Sequence, residues 1–389
     1  MLVALPLLAL RSTTSALVIS GLLVAARLPW LIVALPAGAV VDRTDRRRLC
    51  VLVEVGRAAV VAGVAAGSLV TVVPVGTLYV AAFLIGAGET IISALVRSAT
   101  AQMVYGEELV ATNGWISAAQ NAGTRFAGPG VGGVLFSLAA SLPFFGDALS
   151  FVVSGVLLPA TLPPSDRAAR PSTTVIADIR SGLRWFAGNR VLRALSELVT
   201  SFAFCQAMVL AVLVLYATKV LHLGATGYGL LLAGAAVGDI VSSLLARRIH
   251  RLLSGYGTIV VAGAAAAAGY LCLSFVDNPY VAGLALALEA AASTLGNVAT
   301  LSARQRIIPP ERFGLINNAF RMPVTGSIPI GALVGGVLVT VIGFHATFLT
   351  AGLVQLAVLA ALAVPLRLMT AGTRPEGPAP AAAPEPNPL

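Results

Sequence analysis

Lysine is nearly missing: Lys219 is the only one among 25 basic residues. It stands in YATKVLHLG, without the GxxxxGK[ST] pattern in which a P-loop cradles phosphates, so ATP hydrolysis by that route is excluded. Histidine is as sparse. His222, His250 and His345 are isolated and form no HExxH or other ligand pair, which argues against a metalloenzyme. Cys50, Cys205 and Cys272 lie in apolar stretches without CxxC spacing, so neither a disulfide framework nor a metal site is expected. No TVGYG-like filter appears, which argues against a channel of that kind. Charge is also scarce, 11% of the 389 residues against about 25% in ordinary soluble domains. With 58% apolar residues and a mean hydropathy of +0.92, a soluble fold could not hide so much apolar side chain. No enzyme, cofactor or metal is expected.

What remains is a series of apolar runs. Segments of spanning length fall at roughly 15–37, 49–70, 77–97, 114–139, 144–162, 194–216, 227–245, 257–276, 280–302, 317–341 and 346–366. They are too long for barrel strands and lack strict alternation. The reading is an all-α, multi-pass membrane protein. The net charge of +9 does not point to nucleic acid, because the basic residues sit in short blocks between apolar runs. Placing the loop after span 15–37 in the cytoplasm puts 19 of the 25 basic residues on that side and leaves Arg11 and Lys219 outside. The C-terminus is then cytoplasmic. Many arginines, one lysine and abundant Ala and Gly suggest a high-GC bacterial genome, hence the cell membrane.

The longest polar break is 163–193. Within it Ile176, Ile179, Leu183 and Phe186 recur at helical spacing, as in an amphipathic helix lying near the membrane. The tail 371–389 is rich in Pro and Ala and is expected to be disordered. The halves on either side, 1–162 and 194–370, resemble each other. GPGVGGVL at 128–135 faces GALVGGVL at 331–338, and GEELVATN faces PERFGLIN around Asn113 and Asn317. Residues 6–25 face 214–233, so that Arg11 meets Lys219 and Gly21 meets Gly229. The chain therefore reads as a parallel duplication of two six-helix halves, twelve membrane helices in all. On this register MLVALPLLAL is the outer half of a first helix whose beginning, roughly a dozen residues, is expected upstream of Met1.

The loop after span 15–37 reads LPAGAVVDRTDRRRL, with Gly38, Asp42, Arg43, Arg46 and Arg47 as G-x-x-x-D-R-x-x-R-R. A positive-inside anchor explains the arginines. It does not explain a glycine four residues before an Asp-Arg pair. Gly permits close helix approach, and an Asp at a helix end can cap a neighbour's N-terminus. This loop, together with the duplicated six-helix pattern, resembles the major facilitator superfamily over residues 1 to about 370. Asp45 departs from the Gly usual there. The resemblance implies that Asp42 latches one conformational state against helix eleven, with Arg43, Arg46 and Arg47 as charge partners. ARRIHR in the second half keeps the charge but lacks the Gly and Asp, so one latch is expected.

GPGVGG supplies Gly128, Pro129, Gly132 and Gly133. Pro129 bends a helix axis and the glycines allow tight packing, which a purely structural kink also explains. The stretch resembles the helix-five signature of the superfamily's antiporters and drug exporters, with its upstream Gly123 one position off. The chain as a whole looks closer to the branch with macrolide-efflux and enterobactin-export proteins. Ala82 stands where many proton-driven exporters carry Arg, so their relay does not transfer intact. Among charges inside spans, Glu89 is the leading candidate for proton coupling, with Glu289, Asp147 and Asp239 behind it. Glu54 and Arg57, at i,i+3, read as a structural pair. Arg27, Gln120, Asn121, Arg125, Gln206 and Asn297 are candidate cavity residues. These features predict a gradient-driven exporter of small amphipathic organic molecules, drug- or siderophore-like. Its expected partners are a small-molecule substrate, protons and the lipid bilayer, with no nucleic acid and no ATP. An importer, or a non-transporting membrane sensor or partner of the same fold, are the alternatives.

Overall fold

Apolar sequence without water to satisfy its backbone must fold as helix, and it does. The structure is a computed structural model that describes residues 3–33, 41, 44–70, 72–103, 112, 116, 119–120, 122–162, 183–308 and 313–371. Among these no strand occurs. The helices are α1 Ala4–Ala9, α2 Ala16–Arg27, α3 Pro29–Ile32, α4 Arg46–Val70, α5 Val75–Met103, α6 Gly128–Leu138, α7 Leu142–Thr161, α8 Arg190–Lys219, α9 Ala225–Leu273, α10 Pro279–Ile307 and α11 Phe313–Ala371. A π-helical turn, Ala122–Ala127, leads into α6.

Local chemistry explains the boundaries. Pro29 has no N–H to continue α2, so the span expected over 15–37 divides into α2 and α3. Asn278 caps α10 by accepting from the Tyr280 amide at 2.9 Å, with Pro279 in the first turn. The 59 residues of α11 exceed two bilayer thicknesses. They turn back at Gly343, whose φ of +82° is the left-handed region that side chains avoid, so spans 317–341 and 346–366 are its two arms. Within α9 the spans Ala225–Ala246 and Gly255–Leu273 are joined by helical turn, where the sequence suggests a loop.

Close approaches at glycine reveal the duplication. A Cβ on Gly132 of α6 would lie 3.9 Å from Val3, and one on Gly335 of α11 would overlap Met208 of α8, at offsets of 203 and 205 residues. Gly86 of α5 packs on the Ala26 carbonyl of α2, as Gly238 of α9 packs on the Ala287 carbonyl of α10. Gly155 of α7 meets Glu54 of α4, as Gly263 and Gly352 join the second arm of α9 to the second arm of α11. The fold is two pseudo-symmetric six-helix halves, and α1 stands against α6 as the end of α8 stands against α11.

The two ends of the bundle differ. One, the lysine end, carries Lys219 and the turns near 12–15, 139–141 and 274–278. The other, the arginine end, carries Arg46–Arg48, Arg190 and Arg304. At the lysine end one continuous core draws on both halves, including Leu8, Phe144, Tyr216 and Phe348. At the arginine end the cores are separate. Leu49, Cys50, Leu95 and Leu162 cluster in the N-terminal half, and Leu195, Leu295, Ile316 and Phe320 in the C-terminal half. Among the described residues the two halves share a core at one end and have separate cores at the other. Of the break at 163–193, residues 183–188 are helical, and Phe186 sets its ring edge against Phe320, with centroids 6.4 Å apart. Ile176 and Ile179, like the tail beyond Ala371, lie outside the described residues.

Candidate functional site

Three contacts close the lysine end. In the first, α6 crosses α9 at Gly133 and Gly229, where a Cβ on either residue would sit 2.9 Å from the other's Cα. Second, α11 crosses α2 at Gly336, against Ser20 and Leu17. Third, Lys219 Nζ donates to the Thr14 carbonyl at 3.4 Å, joining the halves directly. Gly133 and Gly336 are the repeat-related pair of VGGVL, so one sequence device closes both sides of the seam. Just before it, Pro129 cannot donate to Arg125, and the helix widens into the π turn. A Cβ on Gly128 would lie 2.6 Å from the Gly123 carbonyl, so glycine suits that turn. Gly128 and Pro129 thus lie at this turn, and Gly132 and Gly133 follow it on α6.

Of the loop signature, Gly38, Asp42 and Arg43 lie outside the described residues. Arg46 is buried and donates to Ser98 Oγ of α5 at 3.2 Å. Arg47 donates through Nε and Nη2 to the Leu162 carbonyl at 3.2 and 3.0 Å, satisfying the end of α7. Both arginines therefore make bonds inside the N-terminal half. Asp45 caps α4, accepting from the Arg47 and Arg48 amides at 2.9 and 3.2 Å. The Arg48 bond, followed by the Arg47 bond and the two guanidinium charges, holds its carboxyl below the usual 3.8.

The intramembrane charges separate into different environments. Glu54 and Arg57 pair at 3.2 Å, Ser154 donates to Glu54 at 3.0 Å, and the Arg57 guanidinium lies 4.0 Å from the Phe151 ring centroid. This is the expected structural pair, with α7 as its third wall. Glu89 is exposed on α5 and makes no hydrogen bond or ion pair with another described residue. Glu289 is buried on α10. Tyr270 of α9 donates to its Oε1 at 2.8 Å, and the Gln206 amide of α8 lies 3.5 Å from the same oxygen. Ten residues of helix from Pro279 place Glu289 about 15 Å deep, near mid-membrane. Next to it Cys205 Sγ approaches the Ala351 carbonyl, and Ser201 donates to Gln355 at 3.2 Å. The Gln355 Nε2 donor is buried without a partner among the described residues.

Asp239 is half-buried and accepts from Thr294 of α10. Asp147 is half-buried near the lysine end of α7. Of the candidate cavity residues, Gln206 belongs to the Glu289 cluster, Arg27 is half-buried at the end of α2, and Gln120 and Asn297 are exposed. Asn121 and the Arg125 side chain lie outside the described residues. Sequence reasoning missed Tyr270 and Gln355. A tyrosine and a glutamine inside apolar runs were the available signal. No group of three or more His, Cys, Asp or Glu among the described residues is arranged to hold a metal.

The chain is matched over residues 3–375 by the family described as transmembrane secretion effector. No curated protein sequence matches it. Among solved structures it is similar to a bacterial homologue of the human lysosomal transporter Spinster, inward-facing and unoccupied, with 12% identity, 95% of this chain and 94% of that one covered, and a TM-score of 0.67. It is also similar to the nucleoside transporter NupG, at 12% identity, 95% and 94% coverage and a TM-score of 0.68. A bacterial homologue of the iron transporter ferroportin, inward-facing, aligns at 19% identity, 95% and 96% coverage and a TM-score of 0.59.

Proposed function

Because the chain belongs to the transmembrane secretion effector family of the major facilitator superfamily, and is a membrane transporter rather than an enzyme, we propose that it exports small amphipathic organic molecules by proton antiport. Halves that share a core at one end and part at the other support alternating access by rocking of the two halves. Taking the arginine end as cytoplasmic follows the positive-inside rule. The C-terminus is then inside the cell, and the open end faces the compartment from which an exporter loads. The family's description favours export, as do the Gly-Pro turn and the glycine seam of α6. The predominantly apolar cavity helices suit an amphipathic, drug- or siderophore-like solute, in a bacterial cell membrane.

The observation that carries the coupling is the Glu289 cluster. A carboxyl at mid-membrane is expensive as a bare charge and is a default functional candidate. Gln206 can serve both protonation states, because its NH₂ donates to a carboxylate and its carbonyl accepts from a carboxylic acid. Tyr270 holds the group in place. Glu289 therefore takes the coupling role in preference to Glu89, whose exposed position offers no such partners; Asp239 is the second carboxylate. Asp42, in the loop signature, latches the halves in the opposite state.

The experiment is substrate uptake into everted membrane vesicles. Uptake is expected to collapse with a protonophore and with Glu289→Gln, and to survive Glu89→Gln. Uptake indifferent to both the protonophore and Glu289→Gln removes proton coupling. Accumulation by intact cells instead of everted vesicles reverses the direction and makes the protein an importer.

A further inference from the structure

Arg27 stands in the middle of the membrane without a partner. α2 runs 12 residues from Ala16, so Arg27 at its end lies about 17 Å deep in a core of roughly 30 Å. That is too deep for its head to reach water or headgroups as an arginine near a helix end does. The side chain is half-buried and makes no hydrogen bond, ion pair or ring contact with any described residue. One turn on, the Trp30 Nε1 donor is buried and also has no partner among the described residues. Between the two the helix breaks at Pro29, and the Leu31 and Ile32 amides both close on the Leu28 carbonyl, at 3.0 and 3.2 Å.

Contacts on either side fix where this break lies. Leu17, Ser20, Val24, Arg27 and Leu31 recur at alternating steps of three and four, so they form one stripe of α2 and α3. Leu17 and Ser20 of that stripe meet Gly336 of α11, and Leu31 is 3.9 Å from where a Cβ on Gly326 of α11 would stand. Arg27 therefore sits between two crossings onto the other half. The neighbouring face is closed by α5, whose Gly86 packs against the Ala26 carbonyl and Pro29. Glu89, one turn further along α5, forms no ion pair with Arg27, and residues 28–41 carry no charge.

A bare arginine at this depth is costly, and intramembrane charges pair with one another, line a cavity or mark a substrate path. The described residues give Arg27 no pair. Two unsatisfied donors, one turn apart, flank a broken helix near the midplane, which is where transporters hold substrates. What both lack is an acceptor. An oxyanion supplies several at once, to a guanidinium fork and to an indole N–H, whereas a cationic or purely apolar group satisfies neither.

We propose that Arg27 and Trp30 bind an oxyanion, so that the exported amphipath carries a carboxylate, phosphate or sulfate group. This rests on the transport reading above and adds to it a class of substrate. The site also ties loading to movement. An anion on Arg27 removes the bare charge from the seam between α2 and α11, so the halves approach one another there more readily when substrate is bound.

The test is binding, so it does not depend on proton coupling. Purified protein in phosphatidylcholine nanodiscs is titrated with octyl phosphate, and its thermal midpoint is followed. A saturable rise is expected, with no rise for octyltrimethylammonium. Arg27→Gln is expected to weaken half-saturation about tenfold or more, and Trp30→Phe about threefold or more, as loss of hydrogen bonds to a charged group does. Arg27→Lys, which keeps the charge without the fork, should fall between Arg27→Gln and the unsubstituted protein. Arg251→Gln, at an exposed position on α9, should bind normally. Without ligand, Arg27→Gln should melt no lower than the unsubstituted protein, since it removes an unpaired charge; a lower midpoint would make Arg27 a structural anchor and overturn the proposal. Unchanged half-saturation in Arg27→Gln or in Trp30→Phe, or an equal response to the ammonium probe, also overturns it. So does loss of the response in phosphatidylglycerol discs, which would assign the site to a lipid headgroup. Glu289→Gln should bind octyl phosphate normally. Lost coupling with intact binding leaves this inference standing, and lost binding with intact coupling removes it alone.

Discussion

Gly229→Ala adds one methyl group at the crossing of α6 and α9. Its Cβ would lie 2.6 Å from the Pro129 carbonyl, 2.9 Å from Gly133 Cα and 3.3 Å from the Gly133 amide nitrogen. All three are backbone atoms, so no flexible side chain can swing away. Overpacking of this kind costs about 1–3 kcal/mol. Helix propensity works the other way, since alanine gains about 1 kcal/mol over glycine in a helix interior. That gain applies whether the lysine end is closed or open, whereas the overlap exists only in the closed state. The difference between the two states is therefore the overlap alone, a shift of about 5- to 150-fold toward opening at the lysine end. Spin labels at Leu138 and Tyr280, which are 71% and 83% exposed on opposite halves, report the separation by pulsed electron resonance. Cys50 and Cys205 are buried, so only Cys272 needs replacement. Gly229→Ala should add a longer distance population. Gly56→Ala, where a Cβ meets nothing within 4 Å, should not. A Gly229→Ala distribution that matches the unsubstituted protein, in a sample that melts normally, would refute the reading of this seam as the closed gate.

Glu54→Gln leaves the half-buried Arg57 charge against Phe151 without its carboxylate; breaking a fully buried pair costs about 3–5 kcal/mol, which is the upper value here. The double replacement Glu54→Met with Arg57→Leu should be far milder; a thermal midpoint as low as that of the single variant would show that packing, not charge, holds α4 to α7. Asp45 has its carboxyl held below 3.8, so its contribution to stability is present above that value and lost as pH falls through the lower folded value. Asp45→Asn keeps a capping oxygen without the charge. The midpoint difference between the two proteins should be flat above about pH 5 and shrink below the ordinary carboxylate range, and a difference independent of pH would dismiss the charged cap.

The sequence exposed the fold and half-exposed the site, for one physical reason. In lipid both the packed and the outward faces of a helix are apolar, so periodicity does not say which side meets a neighbour. Length and hydropathy still placed the spans, because they depend on the bilayer alone. Glu54 and Arg57 were legible as a pair because they are one turn apart, but Ser154, a hundred residues away, was not. Glu289 was legible as a buried charge and Tyr270 invisible as its partner, since the contact forms across a turn between two helices. Glycine is the residue that marks a crossing, yet Gly56, Gly63 and Gly146 meet nothing within 4 Å while Gly133, Gly229 and Gly336 are in contact with backbone or a fixed side chain. A glycine alone is therefore ambiguous. The repeat resolves it. VGGVL recurs in both halves, and a feature kept at the same place in two copies that otherwise differ must serve what the copies have in common. What they share is a crossing onto the other half: Gly133 meets Gly229, and Gly336 meets Ser20, the neighbour of the Gly21 that the repeat aligned with Gly229. The one-residue slip shows the limit of that inference. The duplication specifies which helices cross, and the side chains at the crossing, here a tyrosine hydroxyl from Tyr79 filling the space beside Gly21, decide which residue stands at the contact.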